Sequence, residues 1–366
     1  MSPDYVRYRD DLEQLQPGEA ETTAKLTEMM RGFSEAMNTR YRHAVRSVHS
    51  KNHGLLVGEL EVYEGLPGRL AQGLFARPGR YPVVMRFSTP PGDILPDSVS
   101  TPRGLALKIV GPEGAEMVEG HGGEVTQDFV FVNGPNFGQK DAAGFMKGQK
   151  PIQLTVNAPE ELKVVASLGA RLADSLTGGK GKLSPMLRKL GGHPHTHPLG
   201  ETFYTQLPHR WGDYVGKLSL VPVSAHLRRL KDQHIRVVGE TDALRDNIAA
   251  VIAREGGEWE LKVQLCADER TMPIEDASVL WDEGLSPFLA VARVRVAPQD
   301  SARPDKLVYG DDRVSFSPWH AQAAHRPLGA VMRARRAAYR MSADFRREHN
   351  DEPMTEPRSQ ADLPRP

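Results

Sequence analysis

Eight short runs of β-branched and aromatic residues constrain the fold of this chain more than any other feature. Each run is bounded by glycine, proline or aspartate, as strands of antiparallel sheets are. The first four follow one another without an intervening helical pattern, which favours a barrel over alternating α/β units. We therefore predict an α+β protein built on a closed antiparallel β-barrel of about eight strands with surrounding helices. The predicted strands are 55–63, 81–88, 105–110, 128–133, 214–223, 234–239, 259–266 and 288–296.

Helical periodicity flanks the strands. The first predicted helix begins near Thr22, and Thr22 or Thr23 is the expected cap. Residues 141–198 are predicted to form a mostly helical insertion between the fourth and fifth strands. The predicted helices are 22–38, 242–254 and 330–342, with 159–172 and 183–190 inside the insertion.

Composition narrows the classes of function. The 366 residues carry 47 basic and 47 acidic side chains, so the zero formal charge indicates no nucleic-acid partner. The single cysteine, Cys266, excludes an internal disulfide framework and a cysteine-rich zinc site. No apolar run approaches 18 residues and no signal-like segment opens the chain, so we expect a cytoplasmic protein with no membrane partner.

Residues 46–141 concentrate the groups that carry chemistry. Short polar motifs there sit at the ends of predicted strands, so separate strands can present them to one pocket. The set comprises a base (His49), a hydroxyl (Ser88), a carboxamide (Asn133) and three guanidiniums (Arg46, Arg86 and Arg103).

The order of these motifs and the residues within them resemble those of the haem catalase superfamily. In that family an R-x-V-H turn is followed by R-F-S-T, by P-R-G-[FL]-A-x-K and by D-[LF]-V-x-x-N-x-P. The corresponding segments here are 46–49, 86–89, 102–108 and 128–135. The resemblance implies that His49 is the distal base, that Asn133 is its partner and that the Ser88 hydroxyl hydrogen-bonds the base.

A second match lies near the C-terminus. The segment 335–339 is similar to the family's R-x-x-A-Y motif, which places the proximal tyrosine four residues after an arginine. On a helix this spacing puts Arg335 and Tyr339 on one face, where the guanidinium favours a phenolate. The resemblance implies haem, expected as haem b, with Tyr339 as the axial ligand of its iron.

Further residues follow from the same resemblance. Arg46, Arg86 and Arg335 are candidates to pair with the haem propionates or the phenolate. An ordinary surface position is the alternative for Arg46 and Arg86. Phe316 aligns with an aromatic residue beside the haem.

The sequence also departs from full-length catalases. Thr101 stands where the family has an acid before P-R-G, and 136–138 leaves one aromatic, Phe137, in place of two. Only 27 residues follow Tyr339, so we expect no C-terminal helical domain. These features resemble the minimal catalase-related haem peroxidases. They predict a peroxidase that reduces hydrogen peroxide or organic hydroperoxides with an organic reductant and has weak catalase activity.

Two other functions remain open at this point. One is a hydroperoxide isomerase or lyase of the allene oxide synthase type, which would need no reductant. The other is a non-catalytic haem-binding protein, for which His49 and Asn133 would be unnecessary. Smaller family members often appear as dimers, so a homodimer is one candidate assembly, although the sequence shows no self-evident interface.

The remaining predictions concern organisation. Residues 1–18 are predicted to be a flexible arm, 19–345 the catalase-like haem domain, and 346–366 a disordered tail, because the tail is charged and proline-rich. The histidines at 193, 195 and 197 suggest a metal site. Prolines 194 and 198 favour an extended loop instead.

Overall fold

The structure, a computed structural model, describes residues 4–112, 116–118, 125–154 and 193–366. In these residues nine strands form one sheet, and every pairing is antiparallel. The strands are β1 (Asn52–Val62), β2 (Arg80–Ser88), β3 (Gly104–Val110), β4 (Thr126–Val132), β5 (Phe203–Tyr204), β6 (His209–Trp211), β7 (Tyr214–Pro222), β8 (Gly257–Leu265) and β9 (Leu289–Val296).

The sheet closes into a barrel because β5 pairs along both of its edges. Tyr204 pairs with Val132 of β4, and Phe203 pairs with Leu220 of β7. Since β1 pairs with both β2 and β9, the ring β1-β2-β3-β4-β5-β7-β8-β9 is complete, and β6 extends β7 as a hairpin. The predicted fold class, a closed eight-stranded antiparallel barrel with surrounding helices, is confirmed.

One predicted strand is wrong. In the segment 234–239 only His234 makes an isolated bridge, to Thr196, and Val238 is 75% exposed. Both edges of every barrel strand are already paired, so the ring has no edge to accept this segment. The strand that closes the ring is two residues long, too short to show an alternating pattern. The other seven predicted strands are confirmed to within three residues at either end.

A row of apolar side chains crosses the barrel interior from β1 to β4. Leu56 pairs with Met85, Met85 with Leu107, and Leu107 with Phe129, and all four are fully buried. Burial of each such side chain contributes roughly 1.5–3 kcal/mol. The barrel is therefore a stiff frame that fixes the positions of the strand ends.

Two long helices pack against each other beside the barrel. Leu26 and Met30 of the first share a buried cluster with Ala334, Ala338 and Phe345 of the last. Among the described residues, no helix is both long and apolar enough to cross a bilayer. The helices are α1 (Glu19–Tyr41), α2 (Ala142–Leu154), α3 (Ala225–Arg229), α4 (Ala243–Glu255), α5 (Pro304–Val308) and α6 (Ala330–His349), and a π-helical turn spans Tyr309–Arg313.

The helix predictions are right in position and wrong in detail. α4 matches the prediction to one residue, but α1 begins at Glu19 after Gly18, so neither Thr22 nor Thr23 is its cap. The predicted helices 159–172 and 183–190 lie outside the described residues.

The N-terminal segment is not a loose arm in the part that is described. The Val6 amide donates to the carbonyl of Cys266 at 2.8 Å, and Leu12 is buried. The amide of Gly329 donates to the Glu13 carboxylate at 2.8 Å. Backbone pairing and a partly buried carboxylate connect this segment to the rest of the protein.

The predicted disordered tail also contacts the barrel. α6 continues to His349, and the Lys108 Nζ of β3 lies 2.6 Å from Glu356 Oε2. The Ser315 amide donates to Glu356 at 2.9 Å, and Leu363 is buried. Composition predicted disorder here because it does not show that Glu356 neutralises a fully buried lysine.

Candidate active site

His49 lies between α1 and β1 and is held from several directions. Its φ of +56° is in the left-handed region, which costs roughly 1–2 kcal/mol for a residue with a Cβ. Its amide donates to the Pro90 carbonyl at 2.9 Å, and its carbonyl accepts from Arg86 Nη1 at 2.9 Å. On the side chain, Nδ1 lies 2.9 Å from Ser88 Oγ. These contacts fix the backbone and the ring together.

Gly104, the first residue of β3, lies directly against the His49 ring. A Cβ atom at position 104 would overlap the imidazole and would lie 2.9 Å from Ser88 Oγ. The sheet register places Gly104 between Ser88 of β2 and Val132 of β4. The glycine makes room for the ring, a role that the sequence motif did not reveal.

The surroundings of His49 keep its imidazole neutral. Burial lowers the pKa of His49 to about 3, and the charges of Arg86, Arg335 and Arg46 act in the same direction. Among the described residues, Nε2 has no hydrogen-bond partner. The ring is therefore an uncharged group with one nitrogen held and the other available to take a proton.

Asn133 follows β4 and is clamped to the start of β3. Its amide donates to the Arg103 carbonyl at 3.0 Å, and the Arg103 amide donates to Asn133 Oδ1 at 2.8 Å. Its Nδ2 lies 2.5 Å from Glu201 Oε2 and 2.9 Å from His193 Nε2. Because Arg103 precedes Gly104, Asn133 belongs to the strand end that contacts the His49 ring. Glu201 and His193 are partners that the motif did not predict.

Three guanidiniums gather around Asp311 in the π-helical turn. Arg86 donates to Asp311 Oδ1 from Nη2 at 2.8 Å, and Arg46 Nη1 lies 3.3 Å from the same oxygen. Arg346 donates to the Asp311 carbonyl. Burial lowers the pKa of Arg46, and the positive charges of Arg346 and Arg86 lower it further. The carboxylates of Asp311 and Asp312 act in the opposite direction. Glu356 also acts on Arg346, so three guanidiniums and three carboxylates meet in this cluster.

Arg346 is the member of this cluster that the sequence analysis missed. It lies seven residues after Tyr339, two helical turns along α6, but the predicted helix ended before it. Arg86 is only 2% exposed, so the alternative that it is a surface cation is wrong.

Tyr339 and Arg335 lie on one face of α6, as their spacing predicts. The Arg335 guanidinium lies 5.3 Å from the centre of the Phe137 ring. Burial lowers the pKa of Arg335, and Tyr339 opposes that shift. Tyr339 is half-buried, and its hydroxyl has no hydrogen-bond partner in the described part of the chain.

The helix that carries Tyr339 is fastened to the segment just before His49. The Ser47 amide donates to Ser342 Oγ at 3.2 Å, and Val48 packs against the cluster that includes Ala338. Arg335 is also near enough to lower the pKa of His49. The base and the tyrosine helix are thus parts of one packed unit.

Phe316 borders the arginine cluster. Its ring centre lies 5.9 Å from the Arg46 guanidinium and 5.6 Å from Lys108 Nζ, and it is 8% exposed. It packs with Val84 and Val314. The structure therefore places the predicted aromatic residue beside the guanidiniums.

The histidine loop contributes to this site. His193 contacts Asn133, as described above, and His197 Nδ1 accepts from the Leu199 amide at 3.2 Å as a cap of a short helical turn. Across the ranges that the structure describes, no three His, Cys, Asp or Glu side chains are arranged to hold a metal ion.

Three solved structures with the same architecture are catalases. A fungal catalase matches 86% of this chain with a TM-score of 0.60 and 19% sequence identity. Catalase A from Saccharomyces cerevisiae matches 85% of this chain with a TM-score of 0.57 and 16% identity. A bacterial catalase matches with 0.52 at 19% over 88%. At these identities the likeness shows the fold, and this chain has the fold of catalases.

The match does not extend over the whole of those proteins. This chain spans 61%, 63% and 62% of the fungal, yeast and bacterial catalase chains. A scan against models of protein families gives no match, and neither does a search of curated protein sequences.

Proposed function

Because this chain has the fold of catalases, we propose that it is a haem-dependent peroxidase. It reduces hydrogen peroxide or organic hydroperoxides with electrons from an organic reductant, and its catalase activity is weak. The observation that carries the proposal is the state of His49, a neutral imidazole with Nδ1 held by Ser88 and Nε2 available.

The residues present fit haem. Tyr339 offers a phenol oxygen without a hydrogen-bond partner in the described chain, on the same face of α6 as Arg335. The guanidiniums of Arg46, Arg86 and Arg346 are the groups that would pair with the two propionates. Bound haem would supply redox-active iron, and the Tyr339 oxygen would hold that iron.

His49 then performs the proton transfer. With Nδ1–H donating to Ser88 Oγ, Nε2 carries the lone pair that removes a proton from one peroxide oxygen. The same nitrogen returns the proton to the departing oxygen as the O–O bond breaks. Overall, a hydroperoxide, two electrons from the reductant and two protons give an alcohol and water. Asn133 holds the strand end beside this base, because its Oδ1 accepts from the Arg103 amide that precedes Gly104.

Two observations support a peroxidase in preference to a dismutating catalase. Thr101 occupies the place of the acid that aligns hydrogen peroxide in full-length catalases, and its carbonyl accepts from the Arg103 guanidinium. Phe137 packs against Phe145, at 5.3 Å between ring centres, and against Arg335. With a hydroxyl in place of that acid and one aromatic in place of two, we expect larger hydroperoxides and reductants to gain access to His49.

Turnover by the purified haem-loaded protein tests the proposal. With hydrogen peroxide or cumene hydroperoxide and a phenolic reductant, we expect two electrons withdrawn per peroxide and little oxygen released. His49→Ala should lower turnover by about 100-fold or more, since that is the usual contribution of a positioned base. His226→Ala, on the separate helix α3, is the control.

Three outcomes contradict the proposal. Oxygen release at half the rate of peroxide loss identifies a catalase. Consumption of a fatty-acid hydroperoxide to an isomer without reductant identifies an isomerase or lyase. Equal turnover in His49→Ala and wild type identifies a haem-binding protein without this chemistry.

A further inference from the structure

Both polar atoms of the Asn133 carboxamide make hydrogen bonds within the protein. Oδ1 accepts from the Arg103 amide, and the two N–H groups point to Glu201 and His193. His193 Nδ1 lies 2.8 Å from the carbonyl of Pro194, which can only accept, so Nδ1 carries the proton. Nε2 is then an acceptor, and Asn133 donates both of its N–H groups to this loop.

Glu201 is the ionisable member of this arrangement. Its Oε2 accepts from Asn133 at 2.5 Å and its Oε1 accepts from Thr196 Oγ1 at 2.5 Å. Both oxygens therefore accept hydrogen bonds, which is the pattern of a carboxylate. The charged groups that act on it are Arg103, at the start of β3, and Asp232.

We propose that Glu201 is a positioning residue whose carboxylate orients Asn133 at the end of β3 that contacts His49, and that protonation of Glu201 in mild acid releases this hold. The effect on turnover rests on the proposed function, whereas the effect on Asn133 does not.

The direction of the pH effect follows from hydrogen-bond chemistry. A hydrogen bond to a carboxylate is roughly twice as strong as one between neutral groups. A protonated Glu201 can donate to the Thr196 hydroxyl. Its hydrogen bond from the Asn133 amide is then one between neutral groups and is weaker. Burial raises the pKa of Glu201 above its ordinary value, and the charge of Asp232 adds to this shift. Arg103, Thr196 and Asn133 act in the opposite direction but do not outweigh burial. The release therefore belongs to a pH range above that of an ordinary glutamate.

Two substitutions at position 201 separate the effect of its hydrogen bonds from the effect of its carboxylate charge. Glu201→Gln keeps both hydrogen bonds, because its oxygen can accept from Asn133 while its nitrogen donates to Thr196 Oγ1, but it cannot titrate. Glu201→Ala removes both acceptors. Glu240→Gln alters an exposed carboxylate and serves as the control.

Infrared difference spectra of the haem-loaded protein test the titration without any peroxide. On lowering the pH we expect the carbonyl band of a buried protonated carboxyl in wild type and in Glu240→Gln, and its loss in Glu201→Gln. The same band in Glu201→Gln would overturn the assignment.

The route through Asn133 is tested by a double-mutant cycle in kcat/KM. We expect Glu201→Ala to lower kcat/KM by about tenfold, and to lower it no further when Asn133→Ala is already present. The acid limb of kcat/KM should disappear in Glu201→Gln. Independent, multiplying effects of the two alanine substitutions would overturn the proposal. Failure of the proposed function would instead appear as wild-type protein that does not turn over peroxide.

Discussion

The imidazole Nδ1 of His49 and the hydroxyl of Ser88 lie 2.9 Å apart, so the last residue of a barrel strand fixes the orientation of a ring carried by a loop. Ser88→Ala removes this partner and frees the ring to rotate. Since a typical hydrogen bond contributes about 1 kcal/mol, we expect kcat/KM for peroxide to fall by about fivefold to tenfold. Ser224→Ala changes a half-buried serine that precedes α3 and bonds Glu258, away from His49, and should leave kcat/KM unchanged. Equal kcat/KM in Ser88→Ala and wild type would contradict this orientation role.

A methyl group at position 104 should displace the His49 ring. Gly104→Ala places a Cβ where the imidazole lies, and overpacking of this kind costs about 1–3 kcal/mol. We expect a lower free energy of unfolding in denaturant and the loss of most peroxide turnover. Gly68→Ala is the matched control, because a Cβ there meets no atom within 4 Å. A variant at 104 with wild-type stability and turnover would show that the ring is not confined.

Arg346 should contribute to haem retention. Arg346→Gln removes one of the three guanidiniums around Asp311, so we expect the haem dissociation constant to rise by about tenfold in a titration followed by tryptophan fluorescence. Arg347→Gln, exposed on the same helix and paired with Asp344, should keep the wild-type affinity. Equal affinities in both variants would remove Arg346 from the cofactor site.

A buried histidine should make the fold sensitive to acid. Burial lowers the pKa of His209 to about 3, whereas the unfolded residue titrates near 6.5. Below pH 6.5 the unfolded chain takes up a proton that the folded chain refuses, so this contribution to stability is lost as pH falls from 6.5 towards 3. His209→Phe should retain about 2 kcal/mol more of its stability between pH 7 and pH 5 than wild type does. Parallel curves of unfolding free energy against pH would contradict the shift.

The C-terminal segment should stabilise the barrel. Glu356→Gln leaves the fully buried Lys108 with Asp128 as its remaining carboxylate, so we expect the loss of one charged hydrogen bond, roughly 1.5–3 kcal/mol. Burial raises the pKa of Glu356, but Lys108 and His320 outweigh burial and lower it to about 2. The stabilisation is therefore present above pH 4.5 and is lost as pH falls towards 2. Glu352→Gln, more exposed and paired with Arg313, should change the free energy of unfolding by less than about 0.5 kcal/mol. Equal losses in both variants would contradict this role of the tail.

Sequence patterns predicted the barrel because strand signals are local. The closing strand Phe203–Tyr204 escaped prediction, since two residues carry no period and only the partners on β4 and β7 define it. The same limit applies to the site. His49, Ser88 and Asn133 stand in recognisable motifs, but the contacts of Glu201 with Asn133 and of Arg346 with Asp311 arise only through the fold.

The sequence also did not show which charged residues are paired inside the protein. The tail beyond Ser342 is rich in charged residues, which usually indicates a solvated segment. Its Glu356 nevertheless pairs with a lysine buried in β3, and Arg346 lies in the guanidinium cluster. Whether a charged residue is solvated or paired depends on long-range contacts, which composition does not record.

The absorption spectrum of the purified protein after haem addition tests the central claim most directly. We expect a high-spin ferric spectrum in wild type and in Tyr81→Phe, a half-buried tyrosine at the opposite end of β2 from Ser88. The same spectrum should collapse to that of loosely bound haem in Tyr339→Phe. An unchanged spectrum in Tyr339→Phe, or no haem binding by wild type, would contradict a cofactor held by Tyr339 across from His49.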